Sequence, residues 1–265
     1  ELMKHTSLFE DSKEEYKNCK SCKNLAACKN KMTGFCFLPV LKEGKLNFSY
    51  VACKYKEKYL SDCKYQKNVT SMDVPREIRE AKIKDIYTDD KQREKVIKWI
   101  LNYIKEYKKG NFGKGLYLHG NFGCGKTYLL AAMFNELAKE NVRSVITYWP
   151  EYLRSLKSSY SSSSSYEFKD KYNEVKYAKL LLIDDLGAEG VTSWSRDEIL
   201  GTILQYRMQE HLPTFITSNL NLKELEEHLS VSTTNKSERV KAVRIIERIK
   251  QLTIDAEMIG QNNRK

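Results

Sequence analysis

The sequence predicts an α/β fold in which a parallel sheet is flanked by helices, with a small cysteine-rich domain before it. Two observations support this prediction. The stretch 120–127 reads Gly-Asn-Phe-Gly-Cys-Gly-Lys-Thr, which fits the phosphate-binding pattern GxxxxGK[ST], and it lies between an apolar segment and a helix-forming one. Six of the seven cysteines lie before residue 64. The 265 residues are therefore expected to form two domains of different character.

The N-terminal cysteines predict a zinc site. Zinc favours four thiolate or imidazole ligands, and the pair Cys19 and Cys22, separated by two residues, can hold one ion from a tight turn. No secretory signal is apparent, so we expect a cytoplasmic, reducing environment, in which clustered cysteines more often bind metal than form disulfides. The alternative is a set of reduced, partly buried cysteines in a helical cap. The spacing leaves the other ligands open among Cys28, Cys36, Cys53 and Cys63.

The domain boundaries follow from changes in composition. The segment 46–52 alternates apolar and polar residues and predicts a strand of the zinc-stabilised unit. Residues 61–90 are rich in Lys, Asp and Glu, contain few large apolar residues and include Pro75. We therefore predict a zinc-binding domain at 1–70, a linker at 71–90 and a nucleotide-binding domain at 91–265.

The larger domain alternates strand and helix patterns. Apolar residues at helical spacing over 90–108 predict a helix that packs beside the nucleotide core. The serine-rich segment 158–165 predicts a flexible loop. Short apolar runs predict strands at 116–118, 144–149, 179–183 and 213–219. Helices are expected at 128–139, 150–158, 195–210 with a capping box at Ser195 and Glu198, 222–229 and 238–250.

The stretch 120–127 is predicted to bind a nucleotide, the alternative being a Gly-rich turn with a surface lysine. Its glycines allow backbone N–H groups to turn inward around phosphates, and the helix that follows adds partial positive charge. Lys126 is expected to reach the β and γ phosphates, and the Thr127 hydroxyl to join the shell of Mg²⁺. Cys124, a thiol at a helix N-terminus, is expected to be reactive and to be protected by ATP. The candidate nucleotide-binding residues are Gly120, Asn121, Phe122, Gly123, Cys124, Gly125, Lys126 and Thr127.

Polar residues after two later strands are expected to complete the site. The apolar run 179–183 ends in Asp184 and Asp185, as expected of a strand that is buried on both faces and ends at a site. Asp184 would join the Mg²⁺ shell, and Asp185 would orient or activate the attacking water. Asn219 ends the next strand and could bind the γ-phosphate or that water. On the last predicted helix, Arg244 and Arg248 share one face at i,i+4, so at least one could project from the subunit.

The charge balance bears on the class of partner. A formal net charge of +11 favours contact with nucleic acid or an acidic protein surface, although solvated lysines would give the same balance. No apolar run approaches the roughly 18 residues that span a bilayer, so we expect a soluble protein that does not contact membranes.

Four segments resemble the AAA+ ATPases of the DnaC/DnaI helicase-loader clade, and in particular the DnaI-type primosomal loaders. The resemblance covers residues 90–265, and it implies an AAA+ P-loop ATPase domain. It extends towards the N-terminus, because DnaI-type loaders carry an N-terminal zinc-binding domain that contacts the replicative helicase. The four segments are Gly115–Thr127, Leu181–Gly187, Thr192–Glu198 and Leu212–Asn219, with an Arg-rich helix after them.

The resemblance also implies roles for individual residues. Asn219 takes the place of the sensor-1 residue, and Arg248 that of the arginine finger that acts on a neighbouring subunit's nucleotide, with Arg244 as the nearby alternative. Arg264 is a candidate sensor-2 residue. The acid pair is Asp-Asp in place of the usual Asp-Glu, so we expect slow hydrolysis, with ATP acting as a switch. The implied zinc ligands are Cys19, Cys22, Cys36, which replaces a histidine, and Cys53, leaving Cys28 and Cys63 free.

The leading hypothesis is an ATP-dependent loader of the replicative DNA helicase in replication initiation and restart. The expected partners are the hexameric helicase, single-stranded DNA, other primosome proteins and further copies of the ATPase domain; the expected cofactors are ATP, Mg²⁺ and Zn²⁺. One alternative is a transposition-helper ATPase of the same clade, which would not need the cysteine-rich module. Another is a zinc-ribbon nucleic-acid-binding protein with a structural nucleotide site, and a third is a small-molecule P-loop kinase.

Overall fold

The chain forms two compact units, Glu1–Lys64 and Tyr65–Lys265. The computed structural model describes residues 6–42, 44–86, 91–161, 165–230 and 236–262. Within these ranges, no helix is both long enough and apolar enough to cross a bilayer.

The small unit combines helices with one antiparallel hairpin. Helix α1 spans Thr6–Ser21, a 3₁₀ turn spans Leu25–Ala27, and helix α2 begins at Lys54 and ends at Gln66. Strands β1 (Phe35–Lys42) and β2 (Lys45–Ala52) pair in the hairpin, as the alternation over 46–52 predicts. The buried carboxylate of Glu15 accepts a hydrogen bond from the Phe37 backbone N–H over 2.7 Å. This bond joins α1 to β1 and satisfies a charge that would be costly to bury alone.

The large unit is built on a six-stranded parallel sheet with strand order β3-β5-β6-β7-β4-β8. The strands are β3 (Val69–Met72), β4 (Gly115–His119), β5 (Ser144–Tyr148), β6 (Leu180–Asp184), β7 (Thr214–Ser218) and β8 (Thr253–Glu257). The predicted strands correspond to β4, β5, β6 and β7, whereas β3 and β8 are not among the predictions.

Helices cover both faces of this sheet. The bounds are α3 (Arg76–Arg79), a 3₁₀ turn (Ile83–Asp85), α4 (Lys91–Lys108), α5 (Lys126–Ala138), α6 (Trp149–Ser161), α7 (Ser165–Tyr177), a π-helix (Trp194–Leu200), α8 (Gly201–Gln209), α9 (Leu222–Leu229) and α10 (Lys236–Leu252). One apolar core contains α4 and α5 residues, and the other contains residues of α6, α8 and α10. Strand β6 contributes to both, because Leu180 and Leu182 face the first core while Leu181 and Ile183 face the second.

The predicted linker at 71–90 is wrong over the residues that the structure describes. Strand β3 pairs in parallel with β5, and Val74 and Ala81 are buried in the core that includes α5. The segment 65–86 is therefore part of the large unit, and the boundary lies before residue 65 rather than near 70. The polar composition of this segment does not indicate that it is folded, because a four-residue edge strand and two short turns bury few side chains.

Two helix predictions also need correction. Ser158, Ser159 and Ser161 belong to α6, although residues 162–164 lie outside the described residues. The capping box predicted at Ser195 is wrong, because Ser195 lies inside the π-helix and its hydroxyl bonds to Thr192. A capping box occurs instead at Asn221 and Glu224, where it begins α9.

Two arginines are buried within the large unit. Arg196, 1% exposed, pairs with Asp197 and with Glu238, so it ties the π-helix to α10. Arg207 is fully buried and donates to the carbonyls of Ala178 and Pro213 over 2.7 and 2.8 Å. Burial lowers the pKa of Arg207 to about 9, which leaves it charged at neutral pH. Both side chains hold together segments distant in sequence.

Candidate functional site

The candidate site lies where β4, β6 and β7 end, because these strands are neighbours in the sheet and run in parallel. The loop after β4 contains the GxxxxGK[ST] stretch, and helix α5 begins at its Lys126. Asp184 ends β6, and Asn219 follows β7. The carboxyl edge of such a sheet is where ligands bind in this class of fold.

Glycine is required at two positions of the loop for different reasons. Gly125 has φ +90° and precedes α5. Gly120 has φ +136°, and a Cβ at this position would lie 2.1 Å from the carbonyl oxygen of Met258. The segment after β8 therefore packs directly on the start of the loop, and the Met258 N–H also donates to the His119 carbonyl over 2.7 Å.

Lys126 is buried at the centre of the site. Its Nζ donates to the carbonyls of Gly120 and Asn121, both over 2.8 Å, and to Oδ1 of Asn219 over 2.9 Å. The predicted pair Lys126 and Asn219 is thus brought together, although the two residues are 93 positions apart in the chain. The Lys126 ammonium group is therefore held inside the loop in which it is expected to contact the phosphates.

Thr127 and Asp184 are also in direct contact. The Thr127 hydroxyl donates to Oδ1 of Asp184 over 2.6 Å, and the Thr217 hydroxyl donates to the same oxygen over 2.6 Å. Burial raises the pKa of Asp184 above its usual range, while the two hydroxyl hydrogen bonds oppose that rise. These two oxygen-bearing side chains, Thr127 and Asp184, are the predicted Mg²⁺ ligands, and hard oxygen donors of this kind suit that ion.

Asp185 is fixed by its backbone and by its side chain. Its φ of +59° is uncommon for a residue other than glycine. Its N–H donates to the Thr217 hydroxyl over 2.9 Å, and its Oδ1 accepts from Nδ2 of Asn219 over 2.8 Å. An unusual backbone conformation that neighbouring contacts hold in place is typical of functional sites.

The remaining residues of the loop contribute mainly through their backbone. The side chains of Asn121 and Phe122 are exposed, and that of Phe122 is 66% exposed. Cys124 is 2% exposed and donates from Sγ to the Asn121 carbonyl over 3.0 Å. The expectation of a readily alkylated thiol at Cys124 is therefore not met, because the side chain packs into the core beside α5.

The structure places the two candidate arginines of α10 away from these contacts. Arg248 is partly buried and donates to the carbonyl of Gly201, the first residue of α8, over 2.9 Å. Burial, with the neighbouring charge of Arg244 as a lesser cause, lowers the pKa of Arg248. Arg244 is exposed. Arg264 lies outside the described residues.

Sequence reasoning missed two residues that contact the site. Thr217 joins Asp184 to the backbone of Asp185. Arg93, near the start of α4, donates from Nη1 to the Cys124 carbonyl over 3.0 Å. Thr217 could have been found from the sequence only by combining its place in β7 with the two acids at the end of β6. Arg93 could not have been found, because an arginine on an amphipathic helix does not indicate which residue it contacts.

The predicted zinc ligands belong to the small unit. Cys36 is buried, and burial, followed by the nearby Cys19, raises the pKa of its thiol to about 12, with Glu15 and Cys53 as smaller causes. Cys28 accepts a hydrogen bond from the Gly34 N–H over 3.3 Å. Among the described residues, however, no three histidine, cysteine, aspartate or glutamate side chains are grouped so that they could hold a metal ion. The structure therefore does not show the predicted zinc site, and Cys63 is outside the side chains that it describes.

The large unit presents the groups that nucleoside triphosphate chemistry requires. One ammonium group, two carboxylates and one amide lie close together at the ends of three strands, beside a glycine-rich loop. The buried lysine and the hydroxyl–carboxylate pair fit a triphosphate and its Mg²⁺, because they supply a cation for phosphate oxygens and oxygen ligands for the metal.

Comparisons with known proteins identify the family of the chain. Residues 50–252 match the family described as AFG1-like ATPase. The replicative helicase loader DnaI of Bacillus subtilis (strain 168) is 38% identical over 251 residues, which are 95% of this chain and 80% of that protein. A crystal structure of DnaI is 45% identical with a TM-score of 0.65 and covers 76% of this chain and 100% of its own.

A further structural relative is described as a putative primosome component of Streptococcus pyogenes. It is 31% identical with a TM-score of 0.63, and the match covers 76% of this chain and 98% of that one. Both the length of the match and its identity are sufficient to assign the family. This chain belongs to the family described as AFG1-like ATPase and to the family of the DnaI helicase loaders.

Proposed function

We propose that this chain loads the replicative DNA helicase onto DNA and uses ATP as the switch that controls loading. The observation that carries the proposal is the contact of Lys126 with Asn219 and of Asn219 with Asp185, which links a phosphate-binding lysine to a water-orienting acid. Family membership supplies the helicase as the partner, because the DnaI relative is a replicative helicase loader.

The P-loop residues bind the triphosphate in this proposal. The N–H groups of Gly123 to Thr127 face the phosphates, and Lys126 exchanges its contacts with the loop carbonyls for phosphate oxygens. Thr127 and Asp184 would hold Mg²⁺, which would neutralise the charge that develops on the phosphate oxygens during hydrolysis. Asp185 accepts a proton from, or orients, the attacking water, and Asn219 keeps that carboxylate in place.

Slow hydrolysis follows from the same contacts. Asp185 has one methylene fewer than the usual glutamate, and its only oxygen with a described partner is tied to Asn219 over 2.8 Å. A short carboxylate in a fixed position reaches the water less well than a longer one. Bound ATP therefore persists long enough to act as a switch. Self-association through α10 would bring Arg248 to the nucleotide of a neighbouring subunit and so couple hydrolysis to assembly.

The small unit is proposed to bind the helicase and to hold one zinc ion at Cys19, Cys22, Cys36 and Cys53. The spacing of Cys19 and Cys22 supports two of these ligands. Asn30 donates to the Cys19 sulfur over 3.2 Å, a contact that stabilises thiolates in metal sites. The formal net charge of +11 supports single-stranded DNA as a second partner.

Co-purification with the replicative helicase tests the proposal. The wild-type chain is compared with Lys126→Ala and with Lys139→Ala, which removes an exposed lysine directly after the same helix. We expect all three to bind the helicase, and only Lys126→Ala to fail in ATP-dependent delivery of the helicase to a single-stranded circle, measured by strand displacement.

Two results would contradict the proposal. Absence of helicase binding by the wild-type chain would remove the partner and would favour a transposition-helper ATPase. Delivery by Lys126→Ala at the wild-type rate would instead assign the nucleotide a structural role, as in a zinc-ribbon nucleic-acid-binding protein.

A further inference from the structure

Arg93 lies against the glycine-rich loop at 120–127. It is near the start of α4, and its side chain is only 8% exposed although it carries a full positive charge. Its Nη1 donates to the carbonyl of Cys124 over 3.0 Å, across 31 positions of sequence. The guanidinium thus contacts the stretch that is expected to enclose the phosphates.

The fit between Arg93 and the loop is close. A Cβ at Gly125 would lie 3.2 Å from Nη2 and 3.3 Å from Nη1 of Arg93. The side chain of Arg93 therefore lies beside the space that glycine leaves open at this position. Because Gly125 directly precedes Lys126, any movement of the guanidinium acts on the residue next to the phosphate-binding lysine.

The charge of Arg93 is incompletely satisfied. Its Nε is buried and has no hydrogen-bond partner, and Arg93 is in none of the ion pairs that the described residues form. A buried cation of this kind costs free energy unless an anion compensates it. The phosphates expected inside the loop would be the anion that reduces this cost.

We propose that Arg93 is a positioning residue of the nucleotide site and binds the phosphate-carrying state of the loop more strongly than the empty one. It acts in two ways. Its hydrogen bond holds the Cys124 carbonyl outward, which leaves the neighbouring N–H groups free to turn towards phosphate. Its charge, buried behind the loop, adds to that of Lys126 in a region of low dielectric. This inference rests on the proposed ATP binding.

The test compares Arg93→Met, Arg93→Lys and the control Lys95→Met. Methionine keeps much of the buried volume of arginine and removes the charge and the donors, while lysine keeps the charge. Lys95 lies two positions along the same helix and is exposed, so its replacement makes the same change in net charge at the surface. Affinity for Mg·ADP and Mg·ATP is measured by titration, and the melting temperature is measured with and without nucleotide.

We expect Arg93→Met to bind both nucleotides about tenfold more weakly than wild type, the loss that corresponds to one charge-assisted contact. Its melting temperature without nucleotide should equal or exceed that of wild type, because an unsatisfied buried charge has been removed. The rise in melting temperature on adding nucleotide should be smaller. Arg93→Lys should recover part of the affinity, and Lys95→Met should match wild type.

A purely structural role predicts the opposite pattern. A lower melting temperature without nucleotide, with affinity within twofold of wild type, would overturn the proposal, and so would equal affinities for Arg93→Met and Lys95→Met. Lys126→Ala separates this result from failure of the proposed function. If wild type binds nucleotide and Lys126→Ala does not, equal affinity in Arg93→Met refutes only the role of Arg93. Absence of nucleotide binding by wild type refutes both.

Discussion

Asn219 donates a hydrogen bond from Nδ2 to Oδ1 of Asp185 over 2.8 Å. The amide that follows β7 therefore fixes the carboxylate that follows the neighbouring strand β6. The same amide accepts a hydrogen bond from Lys126 through Oδ1 over 2.9 Å. Both ends of the amide group are therefore used, and only asparagine or glutamine offers a donor and an acceptor in this geometry.

Replacement of Asn219 by serine should lower ATP turnover about tenfold or more while weakening ATP binding less. The reason is that Asp185 loses its hydrogen-bond donor, whereas the loop and Lys126 remain. Turnover is measured by phosphate release and affinity by titration. Asn221→Ser is the matched control, because Asn221 caps α9 and serine can cap in its place. Equal turnover in the two variants would contradict the role of Asn219.

Replacement of Asp184 by asparagine should abolish the effect of Mg²⁺ on ATP affinity. Asparagine keeps the oxygen that accepts from Thr127 and Thr217, so the fold is expected to be preserved, but it loses the charge that Mg²⁺ requires. ATP is titrated with Mg²⁺ and with a chelator. In wild type and in Asp185→Asn, Mg²⁺ should strengthen binding about tenfold or more. A similar gain in Asp184→Asn would exclude Asp184 as a metal ligand.

Replacement of Arg248 by alanine should reduce turnover, and mixing with Lys126→Ala protein should restore it. In the mixture, Arg248 of one subunit can act on the intact loop of another. The control is Arg239→Ala, since Arg239 is exposed on the same helix and lies 3.7 Å from Glu226. Unfolding by urea is measured in parallel, because the bond from Arg248 to the Gly201 carbonyl contributes about 1 kcal/mol. Lost stability without recovery on mixing would assign Arg248 a structural role.

Metal analysis of the purified chain should give about one zinc per chain. Cys36→Ser should lose this zinc, because it removes one of the four proposed ligands. Cys28→Ser should keep it, since Cys28 is not in the proposed ligand set. If Cys28→Ser lost zinc and Cys36→Ser kept it, Cys28 rather than Cys36 would be the ligand. Absence of zinc from the wild-type chain would reject the site.

The central strands and the site residues on them were predictable because their signals are local. Strand β6 is a continuous apolar run that ends in two acids, and the loop before α5 is a fixed pattern of glycines and lysine. Both features report directly on burial and on backbone conformation. The parallel order of the sheet then brings Asp184 and Asn219 together without any further information from the sequence.

The contacts that sequence could not predict join distant segments through ordinary residues. Arg196 and Arg207 lie on helices, yet both are buried, because each also has a partner from a distant element: Glu238 for Arg196 and the Ala178 carbonyl for Arg207. The short strand β3 lies in a polar segment and is specified by its pairing with β5 rather than by its own composition. The small unit shows the same limit, since cysteine spacing gives ligand types but not their arrangement.

The contact of Met258 with Gly120 makes completion of the glycine-rich loop depend on the order in which the chain is synthesised. The Cys124 sulfur and the Met258 carbonyl that meet at the loop are 134 positions apart, and β8 pairs with β4 just before this contact. Pairings of such long range form late in folding. A chain still attached to the ribosome before Met258 emerges lacks one wall of the phosphate loop. An incomplete chain would therefore lack the finished glycine-rich loop.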